Sequence, residues 1–219
     1  MDKIYIDIET IPGQADWIKE ESFSTVSPPG QYKKQESIDK WMEENGEQAK
    51  EEVWRKTGLN GSRGEIICIA WAVNDGDIES VHRDLGGSEA DLLRGFYAML
   101  NASMDSQWVG HYISGFDLRF IWQRSVINKV KPSINIPYDA KPWGREVFDT
   151  KIEWDGVKSS GFGSLDSVCK ALGYDGKGDI DGSKVWDYVK DGRIDEVVDY
   201  CKDDVEKARL LHKRMTFED

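Results

Sequence analysis

Ile4-Tyr5-Ile6-Asp7-Ile8-Glu9-Thr10 alternates at every step, which is the period of a β-strand. Ile4, Ile6 and Ile8 fall on one face, and Tyr5, Asp7 and Glu9 on the other. With a rise of roughly 3.3 Å per residue, the two carboxylates stand about 6.6 Å apart along that face. Two acids on the first strand of a buried sheet are costly unless something cationic compensates them. An edge strand with a solvated acidic face would need no such partner, and the tripeptide Asp-Ile-Glu alone does not choose between the two.

Working outward, a polar, acidic stretch runs to about residue 64 and contains Pro28-Pro29-Gly30. Within it Ser37 to Lys56 has a helical pattern, with Trp41, Ala49 and Val53 spaced for one face. It reads as a loop and helix inserted after the first strand, in the manner of a lid. Glu65 to Val73 is a continuous apolar run suited to a buried central strand. Asn74-Asp75-Gly76-Asp77 then turns the chain into a second strand, Ile78 to His82, making a hairpin. Ser88 to Leu100 is predicted helical, with Ser88 as N-cap and Asp91 at the third helical position. A short strand from Trp108 to His111 and a helix from Phe116 to Val126 follow.

Lys129 to Gly163 contains Pro132, Pro137 and Pro142 and reads as loop, with one short strand within Val147 to Trp154. Ser164 to Leu172 is a short helix ended by Gly173, and Asp175 to Gly182 a glycine-rich loop. Helices from Ser183 and from Ile194 finish the chain. Strands cluster early and helices late, so the class is α/β, and 219 residues suit one domain over 1–219 with an insertion at about 14–64.

Hydrophobic residues at 39% and charged residues at 32% fit a globular chain. No apolar run approaches the roughly 20 residues of a membrane-spanning helix, and Met1-Asp2-Lys3 does not open a signal peptide. The expectation is a cytoplasmic, non-secreted protein without a membrane partner. Cys68, Cys169 and Cys201 are odd in number and far apart, which suits buried thiols and neither a disulfide framework nor a zinc site. A net charge of −12 argues against a broad basic surface that coats nucleic acid. It leaves room for an enzyme whose bound cations reverse the field locally.

Two further acids matter. Asp117 follows a strand end and a small-residue turn in Gly110-His111-Tyr112-Ile113-Ser114-Gly115-Phe116-Asp117-Leu118. Helix capping accounts for an Asp there equally well. In Tyr200-Cys201-Lys202-Asp203-Asp204, Tyr200 and Asp204 are four apart on a helix and share a face. They border a buried stripe of Val197, Cys201, Val205 and Ala208.

Taken in this order, the three segments resemble the DnaQ-like, or DEDD, exonuclease superfamily of ribonuclease H-like fold, a mixed central sheet flanked by helices. Motif one of that superfamily, Asp-x-Glu on the first strand, is matched by Asp7-Ile8-Glu9. Motif two is matched in part by Phe116-Asp117, with Tyr112 at the usual Asn position. Motif three in its tyrosine branch, Tyr-x-x-x-Asp, is matched by Tyr200 and Asp204; the histidine branch needs a His where Asp199 stands. The Asp-Ile-Glu-Thr start and Tyr-Cys-x-x-Asp end look most like the exonuclease domains of family B DNA polymerases and their stand-alone relatives, phage-encoded ones included. Gly64 to Ala70, Ser164-Leu165-Asp166 and Asp181-Gly182-Ser183 fit the same group.

The resemblance implies a 3′–5′ exonuclease that hydrolyses phosphodiesters at the 3′ end of single-stranded DNA, with a replication or proofreading partner in view. Two Mg²⁺ or Mn²⁺ ions are implied, held by Asp7, Glu9, Asp117 and Asp204, with Asp7 bridging both and Tyr200 orienting the water. Thr10, Ile11 and Phe116 are implied contacts of the terminal nucleotide. An exoribonuclease and a non-catalytic nucleic-acid or polymerase-binding module of the same fold are the alternatives; the complete set of acids favours the enzyme, and the family B-like segments favour DNA. Other patterns fail. The would-be calcium loop Asp175 to Trp186 has Ile180 where Gly is needed, and Gly161-Phe162-Gly163 lacks the rest of a dinucleotide fingerprint.

Overall fold

The computed structural model describes residues 1–141, 144–156, 161, 163–176 and 180–218. Pro142, Phe162 and residues 177–179 of the glycine-rich loop lie outside the described residues. Five strands form one mixed sheet: β1 (Lys3–Ile11), β2 (Glu65–Val73), β3 (Glu79–His82), β4 (Gln107–Gly110) and β5 (Val147–Asp149). Their order is β3-β2-β1-β4-β5, so the acidic strand is central and not an edge. β1 pairs antiparallel with β2 and parallel with β4. This mixed sheet with flanking helices is compatible with a ribonuclease H-like fold.

Helices cover both faces, and the alternation of β1 divides the core accordingly. Ile4, Ile6 and Ile8 pack with Trp71, Trp108, Phe96 and Phe120, beneath α3 (Glu89–Met99) and α4 (Asp117–Ile127). Tyr5 and Ile11 join Ala70, Ala72, Val109, Val197, Cys201 and Val205 on the other side. That side is covered by α7 (Val185–Lys190) and α8 (Ile194–Met215). The expected stripe of α8 is buried as the 3.6-residue period requires. β2 carries a bulge: Glu9 faces Cys68 but Thr10 faces Ile66, so Ile67 is the extra residue. Ile67 and Cys68 consequently point to the same core although consecutive. All three cysteines are buried and free.

Two helices exceed what periodicity announces. α1 (Asp16–Ser24) precedes the expected inserted helix α2 (Gln35–Arg55), and α5 (Thr150–Asp155) occupies most of the stretch read as strand, of which only β5 is extended. A 3₁₀ turn, Lys56–Leu59, ends the insertion. The insertion is moored to the end of β1 and to α7. Trp54 donates to the Gly13 carbonyl at 2.8 Å, packs edge-on against Trp186 with centroids 5.1 Å apart, and is followed by Arg55 paired with Asp187. α6 (Leu165–Ala171) begins at Ser164, whose hydroxyl accepts from the Ser167 amide as an N-cap. Among the described residues no helix is long and apolar enough to cross a membrane.

His212 of α8 is 1% exposed and lies 3.1 Å from the Tyr5 hydroxyl, edge-on to Phe148. Burial, with Lys3 nearby, lowers its pKa to about 4. Its folded pKa is below the unfolded value near 6.5, so the unfolded chain binds the extra proton. The neutral ring's advantage is therefore intact above about pH 6.5 and erodes as pH falls toward 4. Urea titrations should show wild type losing on the order of 3 kcal/mol relative to His212→Gln across that window. A difference between the two proteins that does not change with pH would contradict it.

Candidate active site

The three acidic segments meet at the C-terminal end of β1. Side-chain oxygens of Asp7, Glu9 and Asp204 lie within 4.8 Å of one another. Strand alternation presents Asp7 and Glu9 to one face, and α8 packs on that face, bringing Asp204 and Tyr200 beside them. The Cys201 thiol donates to the Asp7 carbonyl at 3.4 Å, tying helix to strand. Tyr200 is buried, and its hydroxyl is hydrogen-bonded to Asp204.

Asp117 is the first residue of α4 and is also buried. Its Oδ1 accepts the Ile8 amide at 3.1 Å, so the carboxylate is turned onto β1 between the two acids of that strand. Capping explains the residue type at a helix start; the direction of the side chain goes further. All four acids and Tyr200 line one cleft of about 380 Å³ with His111, Tyr112, Phe116, Lys151 and Ser164.

Electrostatics mark the cleft as unfinished without a cation. Burial pushes Asp7 well above the usual carboxylate range, and the charges of Asp117, Glu9 and Asp204 push the same way. Burial likewise raises Asp117 to about 7, against the lowering effect of its backbone hydrogen bonds. Tyr200 is pushed up from its ordinary value by burial and then by Glu9. Asp7 Oδ2 is buried with no hydrogen-bond partner. A buried carboxylate oxygen without a donor, amid like charges, is the environment a hard divalent cation relieves, and oxygen-only donors suit Mg²⁺ or Mn²⁺. The residues present therefore fit such ions.

Of the expected nucleotide contacts, Phe116 lines this cleft. Thr10 and Ile11 do not. The Thr10 hydroxyl donates to the Gly58 carbonyl at 2.8 Å and borders a separate pocket of about 580 Å³ walled by Arg55, Lys56, Leu59, Ser183 and Trp186. Ile11 is fully buried in the core beneath α7 and α8.

Three residues that sequence reasoning left aside or set as minor complete the cleft. Asp149, 5% exposed at the end of β5, accepts the Tyr112 amide at 2.9 Å, the Ser114 amide at 3.0 Å and the Ser114 hydroxyl. It also caps α5 through the Lys151 amide. Lys151 is the one ammonium lining the cleft among the described residues; its Nζ is held by Asp155 and the Gly163 carbonyl, both at 3.0 Å. His111 Nε2 donates to the Gly163 carbonyl at 2.9 Å, and Nδ1 lies 3.0 Å from Thr150 Oγ1. Its ring nitrogens are engaged with the loop, which suits the strand-end role expected of it. An Asp after Val147-Phe148 was the sequence signal for a helix N-cap, but what it binds is 35 to 37 residues upstream.

Residues 63–218 match the model of a family described as predicted 3′-5′ exonucleases related to the exonuclease domain of PolB. The matched span holds Asp117, Tyr200 and Asp204, and begins after Asp7 and Glu9. No curated protein matches the chain. Among solved structures it is similar to the family B DNA polymerase of the hyperthermophilic archaeon Pyrobaculum calidifontis, at 18% identity and a TM-score of 0.62. That alignment covers 98% of this chain and 24% of the polymerase chain, so the likeness is one of fold and this chain spans about a quarter of the other's length.

Proposed function

Since the chain belongs to the family of predicted 3′-5′ exonucleases related to the exonuclease domain of PolB, we propose that it removes nucleotides from the 3′ end of single-stranded DNA as a two-metal, tyrosine-branch nuclease. All 219 residues act as one nuclease domain in this reading, with about 14–64 inserted. The observation that carries it is the convergence of Asp7, Glu9 and Asp204 within 4.8 Å, with an unpartnered Asp7 oxygen among them.

Asp7, Glu9 and Asp204 would hold one divalent cation, and Asp117, tethered to β1, would share a second with Asp7. Bound ions supply an activated water and charge stabilisation for the leaving 3′ oxygen of an in-line displacement. Tyr200, its pKa raised, keeps its proton throughout the ordinary pH range. It therefore serves as a hydrogen-bond donor that orients water and not as the base. Lys151, with its ammonium fixed at the cleft, offers positive charge to the phosphate. Phe116 presents an apolar edge to the terminal nucleotide.

The test is to incubate 5′-labelled single-stranded DNA and RNA with the protein and Mn²⁺ or Mg²⁺. A ladder that shortens from the 3′ end, faster on DNA, is the expected result. No degradation of either polymer with either ion would overturn the proposal, and equal or faster loss of RNA would reassign the substrate.

A further inference from the structure

The turn that leads into Asp117 holds an aromatic side chain in an unusual backbone conformation. Tyr112 has φ 68°, in the left-handed region that bulky side chains seldom occupy. Strain of this kind persists only where the surroundings over-determine it, and it concentrates at ligand clamps. Here the surroundings do so. Asp149 accepts both the Tyr112 and Ser114 amides, fixing the turn from below. Gly115 lies under the ring: a Cβ there would stand 2.5 Å from a Tyr112 ring carbon, so glycine is required for the ring to fold across the turn.

None of this serves core packing, because Tyr112 remains 49% exposed. The ring instead faces the cleft that contains the four acids and Phe116. An exposed aromatic, held rigidly at a site for a strand end, has one chemistry to offer, which is a flat surface for a base. Resting on the exonuclease reading above, we propose that Tyr112 is a stacking platform for the base of the 3′-terminal nucleotide, making the site select strand ends whose last base is unpaired. Stacking is indifferent to base identity, since every base has a π-face. A terminal base still paired in a duplex has its faces and edges engaged and must fray before it reaches the ring.

The experiment compares wild type with Tyr112→Phe, Tyr112→Ala and Tyr112→Asn on single-stranded oligonucleotides ending in a normal or an abasic 3′ residue. For wild type the abasic end should raise KM about 5- to 150-fold, the worth of one stacked base. Phe should behave as wild type. Ala and Asn should raise KM for the normal end by that same factor, keep kcat within about twofold, and no longer distinguish the two ends. Asn tolerates the left-handed conformation, so its thermal midpoint should not fall and its KM defect cannot be ascribed to unfolding. Wild-type KM and end discrimination retained in the Ala and Asn proteins would overturn this proposal while leaving the exonuclease reading intact. So would a Phe variant as defective as Ala. A wild type that shortens neither oligonucleotide would overturn both.

Discussion

Replacing Asp7 by Asn should abolish hydrolysis and yet make the cation-free protein more heat-stable. The carboxylate is buried at Oδ2 without a partner and lies among Asp117, Glu9 and Asp204, which with burial raise its pKa well above the ordinary value. A carboxyl whose folded pKa exceeds its unfolded pKa destabilises the fold above that folded pKa. The penalty is absent below about pH 4, the unfolded value, and grows as pH rises through the window between the two. Asn keeps the shape, removes the charge and supplies an amide donor to the neighbouring carboxylates. The thermal midpoint at pH 7.5 in EDTA should therefore rise by a few degrees, at about 2–4 °C for each kcal/mol in a chain of this size.

Mn²⁺ should reverse the order. Wild type gains stability by binding, on the order of 2.7 kcal/mol at a hundredfold excess over the dissociation constant, while the variant gains little. Activity should drop at least about a thousandfold, because loss of a ligand shared by both ions removes electrostatic stabilisation of the reaction's developing charge. Calorimetry with and without Mn²⁺ reads both arms. A variant less stable than wild type in EDTA would sink the account of Asp7 as a destabilised ligand.

Asp149→Ala should be among the most damaging single changes outside the four acids. Its carboxylate satisfies two buried amides of the 112–114 turn and the first amide positions of α5. Orphaning a buried donor costs about 1–3 kcal/mol, and loss of an N-cap about 1 kcal/mol. Together these put the expected fall in thermal midpoint at roughly 10 °C. Activity should fall further than stability at a permissive temperature. The turn feeds directly into Asp117, and misplacing a reacting group by about 1 Å can cost a hundredfold. Asp149→Asn, which still offers one carbonyl oxygen, should recover part of the stability. An Ala variant with wild-type melting and turnover would show that the turn holds itself.

How far the chain could be read follows from where its information is local. β1, β2, α3 with its Ser88 cap, α6 and the buried stripe of α8 are written in period and punctuation, and the structure has them within a residue or two. The carboxylates of motifs one and three were placed on the correct strand face and helix face by the same two periods. α1 escaped because it buries only Ile18 and Ser22 and has no side-chain cap at Ala15. α5 escaped because its cap, Asp149, follows a strand of three residues and is fixed by groups distant in sequence. The side chains that line the cleft from that helix and from the 111–116 turn depend on tertiary contacts, which periodicity does not encode. The same holds for Ile11: a neighbour of motif one in sequence, it follows the strand into the opposite core.

The hydrogen bond from the Ile8 amide to Asp117 joins residues 109 apart, and that from the Cys201 thiol to the Asp7 carbonyl joins residues 194 apart. Closing such separations is entropically unfavourable until the intervening strands and helices have docked. A chain that has paired β1 with β2 but not yet seated α4 and α8 therefore holds two of its four acids in place and no complete ion cradle. Hydrolytic competence becomes a late milestone of folding. A half-folded or misfolded copy in a cell would be harmless to the nucleic acid around it.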